Sequence, residues 1–207
     1  MILSRLFSSI IKNKVEVVYA GKWLNYHQMT FTDSTGNLKK WEYVSRSTKR
    51  AETDGVSILA TIRLNGSLHL IANAIFRYPV SKYVLEFPAG LIDKEDSDCI
   101  NSALRELKEE TGYTARREDV TEIGEVSYND PWKSDECTKI VKITINPDLE
   151  ENKNPIQELE PSEQISVELI PVNDMLKHML ELCKQKDYLL DARLYSLAQG
   201  LELSKLI

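Results

Sequence analysis

The spacing of apolar and polar positions changes several times along the chain, and each change marks an element. Val15-Glu16-Val17-Val18-Tyr19, Leu24 to Thr32 and Leu38 to Ser45 have strand character, with the turn cluster Asp33-Ser34-Thr35-Gly36-Asn37 between the last two. They predict a small antiparallel sheet ahead of the main core. Val56 to Arg63 and Ser67 to Ile75 flank Asn65-Gly66, a pair suited to a type I′ turn, and so predict a hairpin. Tyr83 to Phe87 reads as a short strand feeding a Pro88-Ala89-Gly90 loop. Val120 to Val126 and Thr138 to Ile145 read as further strands, separated by Asn129-Asp130-Pro131-Trp132. Pro147 to Glu163 is acidic and broken by proline, a loop by composition, after which Gln164 to Ile170 recovers strand character. Asn173 to Lys184 and Asp191 to Leu203 have helical periodicity.

One further helix stands in the middle of this order. Ile100, Ala103, Leu104 and Leu107 recur at helical spacing, Ser97 or Asp98 suits the N-cap, and Gly112 stands where a C-capping residue belongs. Strands enclosing one helix, followed by terminal helices, predict a mixed α+β or sandwich arrangement. There is no internal repeat and no low-complexity tract.

Composition narrows the function classes. A length of 207 residues suffices for one good core with a small appendage, and 42% hydrophobic with 28% charged residues is ordinary for a globular protein. A net charge of −6 argues against nucleic acid as a partner, and no apolar run is long enough to span a bilayer. Cys99, Cys137 and Cys183 are scattered without a C-x-x-C pair, and His27, His69 and His178 have no ligand-spaced companions, so neither set suggests a disulfide framework or a zinc site. Residues 1–14 carry basic residues, serines and an apolar stripe but no acid, which suits either an organellar targeting segment or a short packing helix. The expected location is the cytoplasm, or the mitochondrion if that segment is a targeting signal.

The chemistry concentrates in Arg105-Glu106-Leu107-Lys108-Glu109-Glu110-Thr111-Gly112-Tyr113. At about 100° per residue, Glu106 and Glu110 lie nearly above one another with Glu109 beside them. Like charges at this spacing oppose the helix, and so does the macrodipole at its C-terminal end. A bound cation accounts for the arrangement, because clustered carboxylates are the hard oxygen ligands that Mg²⁺ takes. The alternative is a solvated helix face with Arg105 and Glu109 as an ordinary i, i+4 pair.

The run resembles the Nudix box, G-x5-E-x7-R-E-U-x-E-E-x-G-U with U a bulky apolar residue. Gly90, Arg105, Glu106, Leu107, Glu109, Glu110, Gly112 and Tyr113 occupy its places. One departure stands out: fourteen residues separate Gly90 from Arg105 where the pattern has thirteen, so Glu95 or Asp96 fills the place of the early acid. The extra residue precedes the helix, and is expected to bulge a loop while leaving the carboxylate register intact. Gly21–Trp23, Trp41–Arg46, Phe76–Pro79, Glu86–Asp93, Asn129–Pro131 and Leu190–Arg193 resemble the ADP-ribose pyrophosphatase branch of that superfamily.

The resemblance implies a Nudix fold, with mixed sheets sandwiched by helices, over 51–207, preceded by an antiparallel dimerisation sheet over 15–50. It implies Mg²⁺-dependent hydrolysis of ADP-ribose or related ADP-sugars to AMP and ribose 5-phosphate, with Mn²⁺ as a substitute ion. Glu106, Glu110, Glu109 and the Ala89 carbonyl are then metal-site candidates, Glu163 the additional ligand or base with Glu160 its rival, and Arg105 an orienting residue. Trp23 and Trp41 are implied to stack adenine from different subunits of a homodimer with exchanged N-terminal sheets. Glu42 is placed at the adenine or ribose edge, Arg46 and Arg77 at the diphosphate, and Leu91 and Asp130 at further substrate contacts. Another nucleoside diphosphate, such as an oxidised guanine nucleotide, or a non-catalytic nucleotide sensor are the rival readings.

Overall fold

The computed structural model describes residues 10–48 and 52–206, so the first nine residues of the expected targeting or packing segment lie outside it. The chain forms two compact units, one running to Asp54 and including Val126–Thr138, the other comprising Gly55–Glu125 and the chain from Lys139 onward.

In the first unit, β1 (Ile11–Ala20), β2 (Leu24–Thr32) and β3 (Leu38–Arg46) form an antiparallel sheet in that order. The first strand starts at Ile11, so residues 11–14 are extended and form no packing helix. A capping turn closes the β2–β3 hairpin: the Asp33 carboxylate accepts the backbone N–H groups of Thr35 and Asn37, both at 2.9 Å. The segment from Val126 adds the two-residue β9 (Ser127–Tyr128), paired with Cys137 and Thr138, and its Lys133 carbonyl accepts the Val44 N–H along the edge of β3.

The second unit is built on the predicted hairpin, β4 (Gly55–Leu64) and β5 (Ser67–Arg77). Asn65 and Gly66 both have positive φ, 49° and 81°, as a type I′ turn requires. Around the hairpin lie β6 (Lys82–Glu86), β7 (Ala89–Leu91), β8 (Val120–Ile123), β10 (Cys137–Ile145), β11 (Ile165–Pro171) and β12 (Leu189–Leu190). β11 pairs along one edge of β5, so β4 and β6 share the other edge, β4 against Ser67–Ile71 and β6 against Asn73–Arg77. Freed from β5, the start of β4 pairs with β7 instead, Ser57 opposite Ala89 and Gly55 opposite Leu91. The expected Pro88-Ala89-Gly90 loop is therefore strand from Ala89, a length below any periodic signal.

Helices cover this sheet on both faces. Ala103 and Leu107 of α1 (Cys99–Thr111) pack with Val56, Ile58, Ala60, Ile62, Ile71, Val141 and Ile143. Met175 and Met179 of α3 (Met175–Lys186) join Leu194 and Ala198 of α4 (Ala192–Ser204) against Leu70, Ala72, Ala74, Leu85 and Ile170. β5 serves both cores because its side chains alternate, Ile71 toward α1 and its even-numbered neighbours toward α3 and α4. One helical turn, α2 (Glu150–Lys153), interrupts the expected loop 147–163. Among the described residues no helix is long and apolar enough to cross a membrane.

Candidate active site

Both ends of α1 are held by specific bonds. Of the two candidate N-caps it is Asp98 that serves, its carboxylate accepting the N–H groups of Ile100 and Asn101, each at 3.0 Å. At the other end Gly112 has φ 76° and its N–H returns to the Lys108 carbonyl. The following loop passes so close that a Cβ on Gly112 would sit 2.5 Å from the Ile156 nitrogen. There Glu158 N–H donates to the Glu109 carbonyl at 2.8 Å and the Gln157 amide to the Glu110 carbonyl at 2.5 Å, which satisfies helix carbonyls that have no intrahelical partner.

The three acids divide by burial. Glu110 shares the core-facing stripe with Ala103 and Leu107 rather than a polar face, and only 4% of it is exposed. Its Oε2 accepts from the Ala89 N–H and from the Asn73 side-chain amide, both at 2.9 Å. Burial pushes its pKa up to about 8; the Ala89 N–H and Arg77 oppose the rise, while the charges of Glu106 and Glu163 add to it. Glu106 is raised to about 7, again mainly by burial, against the lowering influence of Arg105. Glu109 stays at the mouth, paired with Arg105 at 3.0 Å.

Close backbone approach brings these carboxylates against the sheet. A Cβ on Gly90 would lie 1.8 Å from Cδ of Glu106, so the side chain rests in the space that only glycine leaves. Asn73 stands where the partner of β5 changes from β4 to β6, and its Oδ1 is buried without a protein partner. Asn73 is absent from the residues expected of the site. Its signal in the sequence is a lone amide inside the buried run Leu70–Ile75.

Arg105 organises the rim. Its guanidinium donates to Glu106 at 2.8 Å, Glu109 at 3.0 Å, the Leu91 carbonyl at 3.0 Å and Asp96 at 2.9 Å. The side chain of Asp96 is 7% exposed whereas Glu95 is exposed, so Asp96 is the early acid. Gly90 and Asp96 keep the five-residue spacing of the pattern, so the extra residue falls between Asp96 and Arg105; the Asp93 N–H bonds the Asp96 carboxylate and closes the turn before it.

Glu163 reaches this group through the loop, and its charge raises both Glu106 and Glu110. Its Oε2 accepts the Glu160 N–H at 2.9 Å. Arg77 forks onto the buried Glu86, Nε to Oε1 at 2.8 Å and Nη2 to Oε2 at 2.7 Å. Ala89, Leu91, Glu106, Glu109, Glu110, Glu163 and Arg77 thus belong to the second unit.

The remaining candidates belong to the first unit. Trp23 is 57% exposed with the Lys22 ammonium 4.6 Å above its ring, and Trp41 is 47% exposed with its indole N–H on the Trp132 carbonyl at 3.0 Å. Trp41 and Tyr43 project from one face of β3, while Glu42 and Arg46 project from the other. Met29, Phe31, Trp41 and Tyr43, with Lys12 and Pro131, line a cavity of about 520 Å³. Arg46 pairs with Glu136 at 3.0 Å, and Asp130 pairs with Lys133.

Among the described residues no three acids, histidines or cysteines are gathered in metal-holding geometry: Glu106 turns to Arg105, and Glu110 to Ala89 and Asn73. The donor set nevertheless fits a hard divalent ion, since all its groups are oxygen donors and the buried acids carry raised pKa values.

The sequence and the fold are similar to those of known proteins. A family model described as NUDIX domain matches residues 52–191. The chain is 35% identical over 192 residues to the ADP-sugar pyrophosphatase of Mus musculus, covering 91% of this chain and 84% of that protein. It is 32% identical over 187 residues to the ADP-ribose pyrophosphatase of Saccharomyces cerevisiae, covering 89% and 79%. A crystal structure described as an ADP compounds hydrolase shares the fold with a TM-score of 0.64 at 21% identity, covering 96% of this chain and 95% of that one. The motif, the fold around it and these matches agree, and the chain belongs to the NUDIX family.

Proposed function

We propose that the protein hydrolyses the diphosphate bond of ADP-ribose, giving AMP and ribose 5-phosphate, with Mg²⁺ as its ion and Mn²⁺ as a substitute. The observation that carries this reading is a pair of raised acids on one helix, Glu110 buried with a pKa of about 8 and Glu106 at about 7 with its carboxylate pressed against Gly90. Two acids raised by desolvation, with the charge of Glu106 adding to the rise of Glu110, are costly as anions unless a cation joins them. The names of the mouse and yeast relatives support the substrate class.

Glu106, Glu110 and the Ala89 carbonyl would hold the ion, with Glu109 binding a further ion or acting through water. When bound, a divalent cation neutralises the diphosphate and acidifies water. Arg105, already on Glu106 and Glu109, keeps those carboxylates oriented. Glu163 takes the proton of the attacking water as the P–O bond to the leaving phosphate breaks. Arg46 and Arg77 grip phosphate oxygens through their planar forks, which match two oxygens at once.

Adenine stacks on Trp23 and Trp41, each such contact contributing about 1–3 kcal/mol. In this reading the two rings come from different subunits of a homodimer that exchanges its N-terminal sheets. The exposed Val17, Val18, Tyr19 and Leu38 of that sheet support an apolar contact there. Leu91 and Asp130 supply further contacts to the substrate.

The test is release of AMP from a panel of nucleotide sugars and oxidised guanine nucleotides, with and without Mg²⁺. Metal-dependent turnover of ADP-ribose above the others is expected. Absence of hydrolysis of every compound with metal supplied would instead point to a sensor.

A further inference from the structure

The late Leu190-Asp191-Ala192-Arg193 run has no part in the reading above, yet it brings a second guanidinium to the carboxylate that holds Arg77. β12 pairs in parallel with β6, Leu190 beside Leu85, and the Asp191 N–H donates to the Leu85 carbonyl at 3.0 Å. Asp191 then caps α4, accepting the N–H of Arg193 at 2.9 Å and of Leu194 at 3.2 Å. This start to the helix sets the Arg193 side chain over the end of β6. Its Nε and Nη2 rest on Asp191, Nη1 reaches the Ser57 hydroxyl at 3.4 Å, and Nη2 lies 4.0 Å from Oε2 of Glu86.

Glu86 is the residue at stake. Its side chain is 5% exposed, and its two oxygens are both taken by Arg77, which is itself 47% exposed. An arginine bound in both fork positions to a carboxylate cannot present the same fork to a diphosphate. If Arg77 turns to a phosphate, Glu86 is left as a buried anion, a state that is strongly unfavourable without another partner. Among the described residues Arg193 is the other cation within 4.0 Å of Glu86, on a side chain that is 34% exposed.

We propose that Arg193 is a positioning residue that takes over Glu86 when Arg77 engages the substrate, so that Glu86 is shared between a resting partner and a working one. The inference rests on the proposal that Arg77 binds the diphosphate and adds to it the part played by Arg193. Its function is to lower the cost of releasing Arg77. Its effect therefore appears in substrate binding and depends on the charge of Glu86.

The experiment is steady-state hydrolysis of ADP-ribose with saturating Mg²⁺ by Arg193→Gln, Arg77→Gln and Glu86→Gln, and by the double variant Arg193→Gln with Glu86→Gln, with melting curves for each. Arg193→Gln is expected to raise KM about tenfold while kcat changes less than about twofold, the signature of lost uniform binding. In the Glu86→Gln background the same substitution is expected to change KM by less than about twofold, because the anion it serves is gone. Arg193→Lys, which keeps the charge, is expected to recover most of the loss and carries the test if Arg193→Gln melts early. A KM unchanged by Arg193→Gln while Arg77→Gln raises it overturns the role of Arg193 and leaves the diphosphate reading standing. Equal losses in both backgrounds overturn it as well. A KM unchanged by Arg77→Gln overturns both.

Discussion

The two ends of α1 carry acids in opposite electrostatic states. At the start, Asp98 accepts two helix N–H groups and pairs with Arg117 at 2.6 Å, and the Arg117 hydrogen bond is the chief reason its pKa falls to about 2. At the finish, Glu110 lies in the core beside two other carboxylates and is pushed to about 8, chiefly by burial. The macrodipole favours the first placement and opposes the second. An acid that stabilises its helix is structural. An acid kept where burial, neighbours and the helix all disfavour its charge is the one to expect at a working site.

The largest test of that contrast is activity. Glu110→Gln preserves the shape and the acceptor for the Ala89 N–H, yet is expected to lower ADP-ribose turnover by about a thousandfold, whereas Asp98→Ala should stay within about twofold of wild type. Comparable losses in the two variants would erase the distinction between the ends. Next in size, Glu163→Gln should lower kcat about a hundredfold with KM nearly intact, the behaviour of a lost general base. A wild-type rate would remove Glu163 from the mechanism.

A smaller effect is expected one step away from the carboxylates. Asn73→Ala removes a donor to Glu110 without touching any acid. It should raise the Mg²⁺ concentration for half-maximal activity by about tenfold, in keeping with residues that support metal ligands. Titrating the ion against initial rate decides this, and an unchanged midpoint would make Asn73 a packing residue only.

Stability in chelator sharpens the comparison by sign. The pKa of Glu110 rises from 4.5 to about 8 on folding, so between those values the folded state holds the proton that the unfolded state has lost. Stability contributed by the neutral acid is therefore complete below pH 4.5 and is lost as pH rises through about 8. Glu106 acts in the same direction. Melting temperature should fall from pH 5 to pH 9 by on the order of 10 °C, and Glu110→Gln should flatten much of the slope. Asp98, depressed to about 2, behaves oppositely: its contribution is present above pH 3.8 and lost as pH falls through about 2. The smallest expected change is that of Asp98→Ala at neutral pH, about 1 kcal/mol or a few degrees of melting temperature, the usual effect of losing an N-cap.

Much of this was legible in the amino-acid sequence because it depends on neighbours in the chain. The Asn-Gly turn, the span of α1 with its glycine stop, and the register that groups Glu106, Glu109 and Glu110 follow from local backbone preferences and helical spacing. Other features depend on which strand lies beside which, and spacing carries no record of that. The choice of Asp96 over Glu95 required the position of Arg105. The pairing of β7 with β4 and of β12 with β6 required the sheet, since strands of two or three residues leave no period. Glu110 entered the core rather than a polar face because the Ala89 N–H and Asn73, 21 and 37 residues away in the chain, were there to bond it. The sequence by itself determined which acids travel together on one helix. Only the tertiary structure decided how deeply each is buried, because desolvation is set by everything packed around a carboxylate and not by its neighbours in the chain.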